Sequence, residues 1–216
     1  MKILIYQLKN HTRIIIWAVI YMIYVYSTYD LSVVTLQGNF SVFIEGNLLN
    51  AQKFLFDVSI FYVSYLFVVK KPFVSTFYIS RCRNIFLLNV ILYGIKISII
   101  YIFYTLCLFL GFPLLFGLPI VIDTYLIFGI LNLLTFLFST YLIYLFILII
   151  TSKQMFSLLS VFSLSLVLLI FYHSTGLINQ EFSIMLENLI LTVYPGVSLI
   201  MILANVIAFH RREFFI

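Results

Sequence analysis

Six apolar runs alternate with shorter polar segments along the chain. The runs cover residues 13–29, 54–69, 85–110, 124–150, 155–173 and 196–209. Four of them reach the ~17 residues that a helix needs, at minimum, to cross a bilayer. The pattern predicts an all-α polytopic membrane protein, with six transmembrane helices in a single domain over residues 1–216.

The basic segment Lys70–Asn84 separates the second and third runs. Pro72 suits the first turn of a helix, because its missing N–H is not needed there and its φ is already helical. Phe73 and Phe77 follow at helical spacing, with Tyr78 next to them. We therefore expect an amphipathic helix over about 72–83 that lies at the membrane surface or docks on a partner.

Two further helix boundaries are expected near the ends of the chain. Met1–Thr12 is predicted to form a separate basic elbow helix before the first span. The Tyr194-Pro195-Gly196 sequence should break or kink a helix. Either the last apolar region is one kinked span, or a short re-entrant helix ends at Pro195 and a span runs from Gly196 to Phe209. The second alternative is the prediction.

The composition supports membrane insertion. Apolar residues make up 64% of the 216 residues and charged residues 9%, whereas soluble domains carry about a quarter charged residues. The formal net charge is +5, but the basic residues follow the predicted membrane boundaries and form no nucleic-acid-binding face. The abundance of Ile, Phe, Leu, Tyr and Asn with few alanines is typical of an AT-rich bacterial genome, so we expect a bacterial cytoplasmic membrane protein.

The distribution of basic residues predicts the orientation. With the N-terminus inside and six spans, ten of the twelve Lys and Arg residues fall in cytoplasmic segments. These are Lys2, Lys9, Arg13, Lys70, Lys71, Arg81, Arg83, Lys153, Arg211 and Arg212. The acidic residues, apart from Glu213, fall at or beyond the outer boundary. Cytoplasmic loops carry an excess of Lys and Arg, so both termini are predicted to be cytoplasmic.

No catalytic or metal-binding motif is recognised in the sequence. His11, His173 and His210 lie at separate membrane boundaries, and Cys82 and Cys107 belong to no Cys/His array. A GxxxxGK[ST] phosphate loop is missing. We therefore expect neither an enzyme nor a metal site.

A few polar or small residues inside the predicted spans are candidates for a functional role. Lys96 in the third span either extends towards the inner surface or faces a substrate cavity. The fourth-span residues either line that cavity or form hydrogen bonds between helices. Ala204 and Ala208 form a small-xxx-small pair typical of close helix or dimer contacts. The fourth-span candidates are Asn132, Thr135 and Ser139.

Taken together, these features resemble the ABC-2 type transporter permeases. The corresponding parts are the Met1–Thr12 elbow, the Pro72–Arg83 helix after the second span, the Leu189–Gly196 region before the last span, and the C-terminal Phe209-His210-Arg211-Arg212-Glu213. The resemblance covers the whole chain in architecture, but specific residues only in this last pentad and in Ser80-Arg81-Cys82-Arg83. The chain is shorter than typical members and lacks a large external domain.

The resemblance implies a permease subunit that dimerises with a second copy or a homologue. It also implies a separate cytoplasmic ABC ATPase, which carries the ATP and Mg²⁺, while this chain itself binds no cofactor. The expected cargo is an amphipathic or antimicrobial peptide or a similar hydrophobic molecule. The residues expected to contact the ATPase are Pro72, Phe73, Phe77, Tyr78, Ser80, Arg81 and Arg83.

Two alternatives belong to other classes. One is a stand-alone membrane immunity or sensor protein, for which a passive helical bundle is sufficient. The other is the substrate-binding subunit of a vitamin importer. In those subunits an alanine-rich first span docks to a scaffold, whereas here the first span contains only Ala18.

Overall fold

The computed structural model describes residues 2–28, 58–69, 83–116, 124–151, 153–178 and 180–211. These residues form six α-helices, numbered here in chain order. They are α1 (Lys2–Thr28), α2 (Ser59–Val68), α3 (Arg83–Phe116), α4 (Thr124–Thr151), α5 (Gln154–Ile178) and α6 (Gln180–Arg211). No strand occurs in these ranges, so the all-α fold class is confirmed for the described part of the chain.

Three helices are long and apolar enough to cross a membrane. Their spanning portions are Leu87–Gly111 in α3, Leu126–Thr151 in α4 and Val193–Arg211 in α6. Shorter apolar helical stretches occupy Thr12–Thr28 and Gln154–Leu168, and α2 is a third. A helix suits lipid because it pairs its own backbone N–H and C=O groups where no water is present.

The first helix differs from the prediction of a separate elbow. α1 begins at Lys2 and continues without interruption to Thr28. The expected boundary near Thr12 is therefore wrong. The physical reason is local, because the first 28 residues contain neither proline nor glycine to end the helix.

The last helix also differs from the prediction. α6 runs from Gln180 to Arg211 with Pro195 inside it, so the expected re-entrant helix ending at Pro195 is wrong. A proline removes one backbone hydrogen bond from a helix. Here Tyr194 before Pro195, and Ser198 and Asn205 after it, contact α4.

The third helix is longer than the predicted 85–110 span. It has 34 residues and contains both Gly111 and Pro113. At 1.5 Å per residue it is about 51 Å long, well beyond the ~30 Å hydrocarbon core. α3 therefore extends past the core at one end at least, or is tilted within it.

α4 is the central helix of the bundle. It packs most extensively against α6 and also contacts α5 and α3, while α2 contacts α1 and α5. Leu133, Leu137 and Leu142 of α4 are completely buried. Membrane proteins gain association energy mainly from such close packing, since lipid is as apolar as the side chains.

Successive helices reverse direction within α1–α3 and within α4–α6. α1 and α3 run parallel, because Ala18 contacts Tyr104 and the later residue Tyr26 contacts the later residue Leu108. α2 runs antiparallel to α3, because Val58 meets Tyr101 while Tyr62 meets Ser98. Only two residues separate α4 from α5 and one separates α5 from α6, so these pairs are antiparallel hairpins.

The predicted coupling helix over 72–83 lies outside the described residues, apart from Arg83 at its end. The same holds for residues 54–57 at the start of the predicted second span.

Candidate functional site

Among the residues predicted to contact an ATPase, the structure describes the backbone of Arg83. Arg83 is the first residue of α3, whereas α2 ends at Val68. Pro72, Phe73, Phe77, Tyr78, Ser80 and Arg81 all lie outside the described ranges. The basic segment is therefore joined directly to the longest helix of the bundle.

The polar residues of α4 lie at its contact with α6. The hydroxyl groups of Ser139 and Ser198 are 2.7 Å apart, and both side chains are buried. The Ser139 hydroxyl also lies 3.1 Å from the carbonyl oxygen of Tyr194, to which it can donate. Thr135 donates to the carbonyl of Asn132 one turn earlier, at 2.9 Å. Two roles were predicted for the fourth-span residues, lining a cavity or forming hydrogen bonds between helices. Ser139 forms hydrogen bonds between helices.

Asn205 of α6 is a polar residue that the sequence did not single out. It is completely buried, and its Nδ2 donates to the carbonyl oxygens of Leu142 at 3.0 Å and Met201 at 2.7 Å. Its Oδ1 finds no hydrogen-bond partner among the described residues. The sequence signal for this contact was an asparagine inside an apolar span, because such residues often form interhelical hydrogen bonds.

A second polar group lies where α1, α2 and α3 meet. Trp17 donates its indole N–H to Ser64 at 2.8 Å, and the Tyr62 hydroxyl lies 2.7 Å from that of Ser98. The Tyr21 hydroxyl lies 3.1 Å from that of Thr105. The rings pack together, with Trp17 and Tyr65 centroids 4.8 Å apart and those of Tyr21 and Tyr101 5.6 Å apart. Buried aromatic rings usually find partners for their polar groups, and these hold the first three helices together.

Gly94 of α3 allows a close approach of α4. A Cβ atom at Gly94 would overlap the ring of Tyr141, whose Cγ would lie at 3.0 Å. The buried Tyr141 also donates its hydroxyl to the carbonyl oxygen of Val90 at 2.9 Å. Small residues allow such contacts between membrane helices. An isolated glycine within an apolar run was the sequence signal for this one.

Lys96 lies apart from these polar contacts. Its side chain is exposed, and so are Leu92 one turn before it and Ile100 one turn after it. It projects from the outer face of α3, whereas Ile97 and Ser98 next to it are buried. The described helices thus leave Lys96 outside the bundle and Ser139 inside it, so these two candidates do not meet.

The predicted small-residue pair lies on α6. Ala204 and Ala208 are both half-buried, and Ala208 packs against the buried core. Among the residues that the structure describes, no group of three or more His, Cys, Asp or Glu side chains is placed to hold a metal ion. Outside these helix contacts, the exposed basic side chains of the described residues include Arg13, Lys96, Lys153 and Arg211.

Comparison of the chain with protein-family models, with curated proteins and with solved structures finds no match. The class of protein is thus the one that the described residues define, a helical bundle in which three of the described helices are long and apolar enough to span a membrane.

Proposed function

We propose that the chain is the multi-pass permease subunit of an ATP-driven exporter in the bacterial cytoplasmic membrane. Six spans place both termini on the cytoplasmic side. The reversals of direction within α1–α3 and within α4–α6 support this threading, since each reversal brings the next helix back across the same layer. The positions of ten basic residues at inner segments support the orientation.

The observation that carries the proposal is the direct connection of the basic segment to α3. α3 begins at Arg83 and extends over 34 residues. It is tied to α1 by the contact of Tyr21 with Thr105, to α2 by that of Tyr62 with Ser98, and to α4 by that of Tyr141 with Val90. A displacement of the 72–83 segment by a separate ATPase would therefore reach three other helices through one rigid rod.

The cargo belongs to the proposal as a class of molecule. An amphipathic or antimicrobial peptide partitions into lipid and can enter from the membrane itself. The outer faces of the helices are rich in exposed large apolar side chains, which include Phe103, Phe128 and Phe156. A second permease copy would complete the pathway.

A stand-alone immunity or sensor protein is the second candidate. The burial of Ser139 and Ser198 against each other favours it, because their hydroxyl groups are used in helix packing and not presented to a cargo. A passive bundle requires no more than such contacts.

Co-purification with an ABC ATPase, sought first in the reading frames next to this one, tests the proposal. Wild type and an Arg81→Glu/Arg83→Glu variant are solubilised in a mild detergent, and bound ATPase and its activity are measured. We expect the wild type to retain the ATPase and the variant to lose it. An Arg211→Glu/Arg212→Glu variant, with the same change of charge at another inner segment, serves as the matched control. The coupling role of residues 72–83 is contradicted if both variants retain the ATPase, or if both lose it to the same extent.

The orientation needs its own measurement, because charge reversal can alter topology. In a Cys107→Ser background Cys82 is the only thiol. A membrane-impermeant maleimide should label Cys82 in inverted vesicles and leave it unlabelled in intact cells. The same labelling of the two charge-reversed variants shows whether either has changed its topology.

A further inference from the structure

The exposed face of α3 carries two polar side chains within an apolar stripe. Asn89 and Lys96 are both exposed and are seven residues apart, or two helical turns. Exposed apolar residues continue the same face beyond Lys96, at Ile99, Ile100 and Phe103. Asn89 and Lys96 thus lie among exposed apolar residues such as Leu92, and the residues that continue the face beyond Lys96 are apolar.

The contact between α1 and α3 shows the depth of Lys96. These helices are parallel, and Tyr21 of α1 contacts Thr105 of α3. Counting eight residues back along each helix brings Arg13 level with Ile97. Arg13 is the basic residue at which the apolar run of α1 begins, and it is exposed. Basic residues at the ends of spans mark the inner surface, so by this contact Lys96 lies level with that boundary, in the N-terminal half of the apolar Leu87–Gly111 portion of α3.

The direction of the Lys96 side chain strengthens this placement. Helical side chains point back towards the N-terminus of their helix. We therefore expect the Lys96 ammonium group to extend over Leu92 towards Asn89 and the start of α3 at Arg83. Long lysine side chains near membrane boundaries take this course to reach the headgroup layer.

The described helices of a second copy would offer no anionic side chain at this depth. The only acidic residues within the described helices are Glu181 and Glu187, in the first turns of α6. α6 ends at Arg211, next to the inner surface, so these carboxylates lie towards the opposite surface. A two-fold contact through this face would instead bring two Lys96 side chains together.

We propose that Lys96 and Asn89 bind the phosphate of an anionic phospholipid in the inner leaflet. The ammonium group supplies the charge, and the Asn89 amide can donate a hydrogen bond to a phosphate oxygen. The acyl chains lie on Ile99, Ile100 and Phe103, towards the middle of the bilayer. The inference rests on the inside orientation of the proposed function, but not on ATPase coupling or on the cargo.

Thermal unfolding of the detergent-solubilised protein with added lipid tests this site. The quantity measured is the concentration of phosphatidylglycerol that gives the half-maximal rise in unfolding temperature. We expect Lys96→Leu to increase this concentration about five-fold, the factor that corresponds to ~1 kcal/mol for a basic side chain at an anionic surface. Asn89→Leu should give a smaller increase. Lys153→Leu removes the same charge between α4 and α5, and it should leave the concentration within about two-fold of wild type.

Two further ligands identify the source of the phosphate. Neither phosphatidylcholine nor inorganic phosphate should reproduce the stabilisation that depends on Lys96. Equal stabilisation of wild type and Lys96→Leu by phosphatidylglycerol overturns the inference, and so does an equal effect of inorganic phosphate. A cross-link in native membranes from Lys96 to another polypeptide would also overturn it, because a protein would then occupy the face.

Failure of this inference is distinguishable from failure of the proposed function. If Lys96→Leu retains the ATPase but phosphatidylglycerol stabilises it as it does wild type, the lipid site is wrong and the exporter stands. If no ATPase binds while the five-fold shift is observed, the lipid site stands without the exporter. Labelling of Cys82 from outside the cell overturns the inner-leaflet assignment.

Discussion

Replacement of Gly94 by alanine should destabilise the bundle, although alanine is the better helix former. The added Cβ would overlap two atoms of the Tyr141 ring and lie 3.0 Å from a third. Tyr141 is 3% exposed and its hydroxyl is bonded to Val90. Either α3 and α4 move apart, or the ring leaves its site and its hydrogen bond is lost.

The magnitude follows from three opposing effects. Overpacking of a buried site costs about 1–3 kcal/mol, and loss of a hydrogen bond costs about 0.5–1.5 kcal/mol. Alanine returns up to about 1 kcal/mol through its higher helix propensity. We therefore expect Gly94→Ala to lower the free energy of unfolding by about 1–3 kcal/mol.

Gly196→Ala provides the matched control. A Cβ atom at Gly196 would meet nothing within 4 Å, although the residue is also helical. Only the helix propensity changes there, so we expect unchanged or slightly higher stability, by at most about 1 kcal/mol. The comparison separates steric overlap from the general effect of replacing a helical glycine.

Unfolding in mixed micelles with increasing sodium dodecyl sulfate measures both variants. The fluorescence of Trp17, the single tryptophan, reports the α1–α2–α3 packing, and circular dichroism reports helix content. A Gly94→Ala/Tyr141→Ala double variant completes the cycle. It should be less destabilised than the sum of the single changes, because alanine at 141 removes the ring that is overlapped. If Gly94→Ala is no less stable than Gly196→Ala, the close contact of α3 and α4 is refuted.

The same unfolding measurement tests three other polar contacts. Ser139→Ala and Ser198→Ala should each lower the free energy of unfolding by about 0.5–1.5 kcal/mol. The double variant should lower it by less than the sum of the two single effects. Strict additivity would show that the two hydroxyl groups do not interact. Asn205→Leu should leave stability unchanged or raise it by about 1 kcal/mol, because the lost interhelical bond is worth about 0.6 kcal/mol and an unpaired buried oxygen is removed with it. A clear loss would show that this oxygen has a partner. Trp17→Phe should lower the free energy of unfolding by about 1–3 kcal/mol, because the hydrogen bond to Ser64 is lost and the ring is smaller. Ser64→Ala should lower it by less. Equal stability of Trp17→Phe and wild type would contradict the contact.

The sequence by itself determined the helical class and most of the helix positions. Apolar runs bounded by polar residues predict helices because helix formation depends on neighbouring residues and on transfer into lipid. Membrane-length helices are found in three of those runs, at Leu87–Gly111, Leu126–Thr151 and Val193–Arg211. The two wrong boundaries, near Thr12 and at Pro195, are also instructive. Near Thr12 no proline or glycine is present to end the helix, whereas at Pro195 residues on α6 contact α4.

Only the tertiary structure decided which side of each helix faces another helix. These spans are apolar around nearly their whole circumference, so periodicity does not distinguish an inner from an outer face. Ser139 meets a residue 59 positions away, and Gly94 meets Tyr141 of another helix. Lys96 lies outside the bundle. Such pairings depend on the shapes of side chains that are remote in the sequence, because close packing, and not local propensity, selects how the helices meet.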